Sequence, residues 1–267
     1  MSAIDKTRSR FSIVTVCFNN LDEVIETYRS IQDQSEKYFE WILVDGSQSD
    51  AIKSWFIGIE EKSSFPAQLI SEKDAGVYDG MNKGLSIAAG DYITFLNSGD
   101  SFYSEEVLAR VRDATASKPM LIYGDAVELY PDGDEQLKVA RHWSKCDQGM
   151  FAHHQSMFYL RETIKNYRYE LTYKVAADYQ LTCRLISEPA FLAQYIPYAI
   201  CKFSVGGLSF QANIRGRREA LCVRLLTLEQ PMHKAIFVYA LQWAAFLLKT
   251  KMPVFYKLLR YKRSSYG

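Results

Sequence analysis

Four short apolar runs, each followed by polar residues and then mostly by a helix-like segment, constrain the first hundred residues more than any other feature. Phe11 to Phe18 reads FSIVTVCF, Trp41 to Val44 reads WILV, Gln68 to Ser71 reads QLIS and Tyr92 to Leu96 reads YITFL. Runs of this kind suit strands covered on both faces, as in a parallel sheet. Helix-like segments lie at about 20 to 33, 49 to 59 and 78 to 89, and Asn20 with Glu23 has the spacing of a capping box. The alternation predicts an α/β fold: a Rossmann-like, mostly parallel sheet flanked by helices and joined by right-handed crossovers. Ser104 to Ala116 predicts another helix. Leu121 to Leu129 and Gln136 to Trp143 then flank Tyr130-Pro131-Asp132-Gly133-Asp134 and predict a hairpin.

Charge divides the 267 residues into two unlike parts. Residues 1–213 carry 21 Lys and Arg against 29 Asp and Glu, a net of -8, and residues 214–267 carry 11 against 2, a net of +9. The expected organisation is an α/β body over 1–213 and a basic, amphipathic helical C-terminal appendage over 214–267, broken at Pro231 and Pro253. In the appendage, Phe237, Tyr239, Trp243, Phe246, Phe255 and Tyr256 alternate with Lys234, Lys249, Lys251, Lys257, Arg260, Lys262 and Arg263. That mixture fits a helix lying on an anionic membrane surface, or one packed on the body or in a homo-oligomer, better than it fits nucleic acid. The longest nearly uncharged stretch, Ala235 to Leu248, is 14 residues long, short of the roughly 20 that cross a bilayer. Met1 to Arg10 is short and polar, without the apolar stretch expected of a secretory signal, and the five cysteines form no C-x-x-C pair. Reduced, buried thiols and a cytoplasmic, peripherally membrane-associated location are expected.

In an open parallel sheet ligands bind beyond the carboxyl ends of the strands. Asp45 and Asp100 both stand at such ends, although Asp45-Gly46 and Gly99-Asp100 also read as plain turns. A divalent cation held by carboxylate oxygen neutralises the charge that develops on a departing diphosphate. Asp100 is the first candidate ligand, because a short turn after an apolar strand is expected to expose its oxygens; Asp45 could accept from a base or ribose. The turn after the first strand, Cys17-Phe18-Asn19-Asn20-Leu21, has no glycine, so the dinucleotide fingerprint is missing, as is a P-loop. Asp79, Asn82 and Lys83 share a helical face, and Gly76, Gly80 and Gly84 nearby predict that something approaches closely.

The runs TVCFNN, WILVDGSQSD, SEKDAGVYDGMNKGLSIAAGDYITFLNSGD, HHQSMFY and VAADYQL resemble family 2 glycosyltransferases of the GT-A fold, and within them enzymes of bacterial exopolysaccharide assembly of the colanic acid type. The resemblance spans about residues 11 to 210. It implies an inverting transfer from a UDP- or GDP-linked sugar to a glycan or lipid-linked saccharide, with Mn²⁺ or Mg²⁺. By the same resemblance, Thr15 and Asn19 lie in the first nucleotide-contacting loop, and Asp45 binds the base. Asp74, Asp79 and Lys83 belong to the donor-side helix entry, the His154-Gln155 position lies beside the donor diphosphate and acceptor pocket, with His154 assigned there, and Asp178 is the catalytic base. The family's metal motif is usually Asp-x-Asp-Asp; here it reads Asn97-Ser98-Gly99-Asp100, so only the last carboxylate remains. From the residues alone, Asp178 reads equally as a helix N-cap.

His153 and His154 with Cys146 do not complete a zinc set. Ser204-Val205-Gly206-Gly207 reads as a loop able to close over a donor, or as a surface turn. Gly99 in place of a carboxylate leaves a second reading, a catalytically silent nucleotide-sugar-binding subunit of an assembly complex. A third, a nucleotidyltransferase, would need a Gly- and Arg-rich opening loop that is missing.

Overall fold

The computed structural model describes residues 10–205 and 213–252. Nine strands form one sheet in the order β3-β2-β1-β4-β8-β6-β9-β5, with β7 paired on β6. The strands are β1 (Phe11–Cys17), β2 (Phe39–Asp45), β3 (Ala67–Ser71), β4 (Tyr92–Phe95), β5 (Ser101–Phe102), β6 (Leu121–Leu129), β7 (Glu135–Lys138), β8 (Met157–Leu160) and β9 (Ala193–Ser204). The helices are α1 (Leu21–Gln32), α2 (Ala51–Glu60), α3 (Val77–Ile87), α4 (Val107–Asp113), α5 (Arg161–Ile164), α6 (Ala177–Ile186), α7 (Asn213–Leu226) and α8 (Met232–Lys251).

β3, β2, β1 and β4 are mutually parallel, with Cys17 opposite Asp45 and Asp45 opposite Ser71. Alternate residues of β1 and β2 point to opposite faces. Phe11, Ile13, Trp41 and Leu43 pack with Val24, Tyr28 and Phe56 of α1 and α2. Val14, Val16, Ile42 and Val44 pack with Met81 and Leu85 of α3. Both faces are therefore dry, which is why these strands read as continuous apolar runs. Beyond β4 the sheet changes character: β8 runs antiparallel to β4 and to β6, whereas β6 and β9 are parallel.

Several expectations change here for physical reasons. Asn20 precedes α1 but caps nothing with its side chain; its amide instead donates to Glu23 and to Ser98 Oγ, the latter at 2.6 Å, tying α1 to the turn after β4. The hairpin exists, with Ala126 opposite Lys138, but its second strand ends at Lys138, and Trp143 opens a 3₁₀ turn. The helix expected from Ser104 begins only at Val107. Four cysteines are buried and Cys222 is exposed. The glycines of α3 answer a close approach by the sheet: a Cβ at Gly80 would stand 2.6 Å from Val16 Cγ1, and one at Gly84 would stand 2.3 Å from Val14 Cγ1. Gly76 differs, with open space around it and φ of 120°, a conformation that favours glycine.

α7 and α8 are held to the α/β body. Val223 is buried with Ala176, Tyr179 and Cys183 of the α6 region, and Gln242 Nε2 donates to Gln148 O at 3.1 Å. Arg217 lies 4.2 Å from the Phe246 ring centroid and 5.1 Å from that of Trp243. Among the described residues, no helix is long and apolar enough to cross a membrane. Gly206, Gly207 and the aromatic and basic residues from Phe255 onward lie outside the described residues.

If α3 is pressed onto β1 through its glycines, Gly84→Ala lowers stability by about 1–2 kcal/mol despite the better helix propensity of alanine. Gly58→Ala in α2, where no atom lies within 4 Å of the added Cβ, raises it by about 0.5–1 kcal/mol. Urea unfolding of both variants checks this; equal effects of one sign would contradict it.

Candidate active site

Three turns at the carboxyl ends of the parallel strands form one rim. After β2, Asp45 is fully buried and accepts from Ser47 N at 2.9 Å and from Ser71 Oγ at 3.4 Å. Burial, and then the Asp45 charge, push the neighbouring Cys17 thiol far up, so it stays protonated. After β1, Asn19 adopts φ of 55° and its N–H donates to Ser47 Oγ at 2.7 Å, so the β1 and β2 turns are joined. Thr15 is not in that loop. It lies inside β1, fully buried, where its hydroxyl accepts from the Trp41 indole at 2.9 Å.

The entry to α3 closes against the same rim. Asp74 accepts from Gly76 N at 2.9 Å and packs over Gly46, where an added Cβ would come within 2.2 Å of Asp74 Oδ2. Asp79 accepts from Ala75 N at 3.0 Å. Lys83 Nζ reaches Lys73 O at 2.7 Å and Glu72 Oε1 at 3.0 Å, with Asp79 Oδ2 at 3.8 Å. These three residues do assemble, and their bonds brace the loop itself.

The third turn follows β4. Ser98 N donates to Val16 O at 3.2 Å, and Gly99 has φ of 87°. Thr27 of α1 fixes the turn by accepting from Gly99 N at 3.1 Å and donating to Asp100 O at 2.7 Å. The Asp100 carboxylate does not project into solvent, contrary to the sequence expectation. Only 6% exposed, it accepts from Gln155 Nε2 at 2.8 Å and from Ser204 N at 3.3 Å. Burial pushes its pKa up to about 7, against the opposing pull of those two hydrogen bonds. Among the described residues there is no group of three or more His, Cys, Asp or Glu side chains able to hold a metal. The turn does carry a buried Asn97 Oδ1 with no hydrogen-bond partner. An unpartnered oxygen and one carboxylate fit a hard cation that takes its remaining ligands from phosphate and water.

Asp178 occupies the first turn of α6, whose N-cap is Ala176, so the N-cap reading of Asp178 does not hold. The Tyr78 hydroxyl lies 3.1 Å from Asp178 Oδ1 and 2.7 Å from Val175 O, and its one proton is shared between them. His154 Nδ1 stands 3.8 Å from Asp178 Oδ2, and burial lowers the His154 pKa, favouring neutral imidazole. Glu219 of α7 accepts from the backbone N–H groups of Lys174, Val175 and Ala176 at 3.0, 2.8 and 3.0 Å, setting the loop that leads into Asp178. His153, beside His154, pairs with Glu128 at 3.0 Å, and Lys138 reaches the same carboxylate at 2.9 Å. Burial opposes ionisation of Glu128, but His153 and Lys138 outweigh it and hold the carboxyl well below its usual range.

Asp178, His154 and Gln155 line a cavity of about 570 Å³, together with Glu128, Lys138 and, from the C-terminal helices, Arg217, Gln242 and Phe246. Asp45 and Asp100 do not line it. Asp100 is joined to it through Gln155, whose neighbour His154 faces Asp178. Tyr78 and Thr27 escaped the sequence reading, although Tyr78 sits in a quoted motif, because no spacing rule relates them to Asp178 or Asp100. Glu219 carries no local sign of this role; the three amides it accepts from lie more than 40 residues away.

A mixed sheet whose parallel half ends in a polar rim, with a carboxylate-bearing cavity beside it, is the arrangement of glycosyltransferases of the GT-A fold. The chain belongs to glycosyl transferase family 2, which it matches over residues 12–191. It is 30% identical over 211 residues to a PGL/p-HBAD biosynthesis glycosyltransferase of Mycobacterium tuberculosis, covering 74% of this chain and 78% of that one. It is 28% identical over 130 residues to the amylovoran biosynthesis glycosyltransferase AmsB of Erwinia amylovora, covering 46% and 43%. Among solved structures it resembles a mannosyltransferase of Pyrobaculum calidifontis in complex with GDP-Man and Mn²⁺ (TM-score 0.65, 14% identity, 94% of this chain and 78% of that one). It also resembles TarS of S. aureus in complex with UDP-GlcNAc (TM-score 0.63, 14% identity, 93% and 75%).

Because Asp100 sits above its ordinary 3.8 at about 7, the folded protein holds a proton there that the unfolded chain releases. The corresponding stability is present below the unfolded pKa and is lost as pH rises through about 7. In metal-free buffer, Asp100→Asn therefore gains stability relative to the parent as pH rises from about 5 to 8, by at most about 1.4 kcal/mol per unit. Denaturant melts across that range check it; a flat or shrinking difference would contradict it.

Proposed function

We propose that this chain is an inverting glycosyltransferase that moves a sugar from a nucleoside diphosphate donor to an acceptor hydroxyl, with Asp178 as the base. The observation that carries the reading is the placement of Asp178 in a cavity beside Gln155, whose amide holds Asp100 on the donor-side rim. The nucleoside would lie against the joined β1 and β2 turns at Asn19 and Asp45, with Asp74, Asp79 and Lys83 bracing the α3 entry behind it. UDP- and GDP-linked sugars are the donor classes to assay, given those bound in the related folds. Asp100 and Asn97 are the residues that would hold Mn²⁺ or Mg²⁺, which supplies charge neutralisation at the departing diphosphate.

Chemistry at Asp178 follows from its surroundings. The Tyr78 hydroxyl orients one carboxylate oxygen and leaves the other facing His154. The neutral imidazole of His154 puts no ring cation beside that oxygen. An acceptor hydroxyl in the cavity gives its proton to Asp178 as its oxygen bonds to the anomeric carbon; the bond to the diphosphate breaks on the opposite face, and the nucleoside diphosphate leaves with the electron pair. One displacement inverts the anomeric centre. The relatives of PGL/p-HBAD biosynthesis and of amylovoran biosynthesis support glycan assembly, with colanic-acid-type exopolysaccharide as the specific context.

Asp178→Asn lowers transfer by about 10²–10⁴-fold while the donor dissociation constant stays within about twofold. Radiolabelled transfer assays over UDP- and GDP-sugars, paired with calorimetric donor binding, check it. Activity within tenfold of the parent would remove Asp178 from the role of base. Donor binding by the parent without transfer to any acceptor would favour the silent-subunit reading.

A further inference from the structure

α8 presents two faces of opposite use. On one side Gln242, Ala245 and Phe246 wall the catalytic cavity. On the other side Ile236, Phe237, Ala240, Leu241, Ala244 and Leu247 fall at helical spacing on a single face and are exposed, Phe237 by 64% and Leu241 by 53%. An apolar face of this size is uncommon on a chain that meets only water. Exposed Lys234 and Lys251 stand near its two ends, within a segment, 214–267, carrying 11 basic and 2 acidic residues.

We infer that the outer face of α8 docks on the surface of an anionic lipid bilayer, which places the cavity behind it at that surface, where a lipid-anchored acceptor can enter. Charge favours this occupant over a second copy of the chain, because two such faces would bring together segments of net charge +9 each. Exposed lysines stand near both ends of the apolar face and, among the described residues, no helix qualifies as a span, so α8 lies along the surface. The acceptor class rests on the glycosyl-transfer reading. The docking does not, because it concerns only the helix face.

The test is flotation of the full chain with vesicles of phosphatidylcholine, with and without phosphatidylglycerol, comparing the parent with Phe237→Glu/Leu241→Glu. Circular dichroism melts and donor binding verify that the double variant is folded. The parent floats with phosphatidylglycerol vesicles, less so at high salt, and the folded double variant loses binding by about tenfold or more. Three results would overturn the inference: a parent that never floats, a folded variant that floats equally, or a parent dimer that the substitutions convert to monomer in light scattering. A chain that floats as expected yet transfers no sugar would leave the docking standing and reject the function.

Discussion

The site depends on the direction of one strand. β8 runs antiparallel to β4, with Thr94 opposite Phe158 and Tyr92 opposite Leu160, so the beginning of β8 adjoins the end of β4. The segment just before it, His153 to Ser156, is thereby delivered to the edge where the parallel strands end. Gln155 then reaches Asp100 at 2.8 Å, and His154 faces Asp178. A parallel strand at that position would begin at the opposite edge and leave the polar rim and the cavity unconnected.

The parallel half was legible in the sequence because β1, β2 and β4 are dry on both faces, and burial of that kind leaves continuous apolar runs at Phe11, Trp41 and Tyr92. Asp45 and Asp100 could be read as strand-end residues for the same reason. The reversal at β8 was not legible: MFYL is four residues long, and strand direction leaves no periodic mark. Asp100 was placed at the right end of the right strand yet given the wrong environment, because Gln155 and Ser204 come from distant segments. Two of the three glycines signalled a close approach correctly, Gly80 to Val16 and Gly84 to Val14 of β1, whereas Gly76 has open space around it.

The C-terminal helices show how charge composition can hide a packing role. Read as composition, residues 214–267 are a basic appendage. In the fold, one of their two acidic residues, Glu219, accepts three amides of the loop before Asp178, and Arg215 holds the same carboxylate at 2.8 Å. A carboxylate receiving several N–H donors is stabilised in its charged form, and burial, the largest single influence, is outweighed so that its pKa falls. The segment that differs most from the body in charge thus helps to fix the candidate base.

The proposed transfer requires that the donor diphosphate bind at the Asp100 turn with the sugar directed into the Asp178 cavity. A crystal structure of the full chain with a nucleoside diphosphate sugar and Mn²⁺ tests this most directly. It is expected to show the nucleoside on the Asn19 and Asp45 turns, the diphosphate beside Asp100 and the anomeric carbon facing Asp178. A diphosphate bound away from Asp100, with the sugar outside the cavity lined by His154 and Asp178, would contradict it.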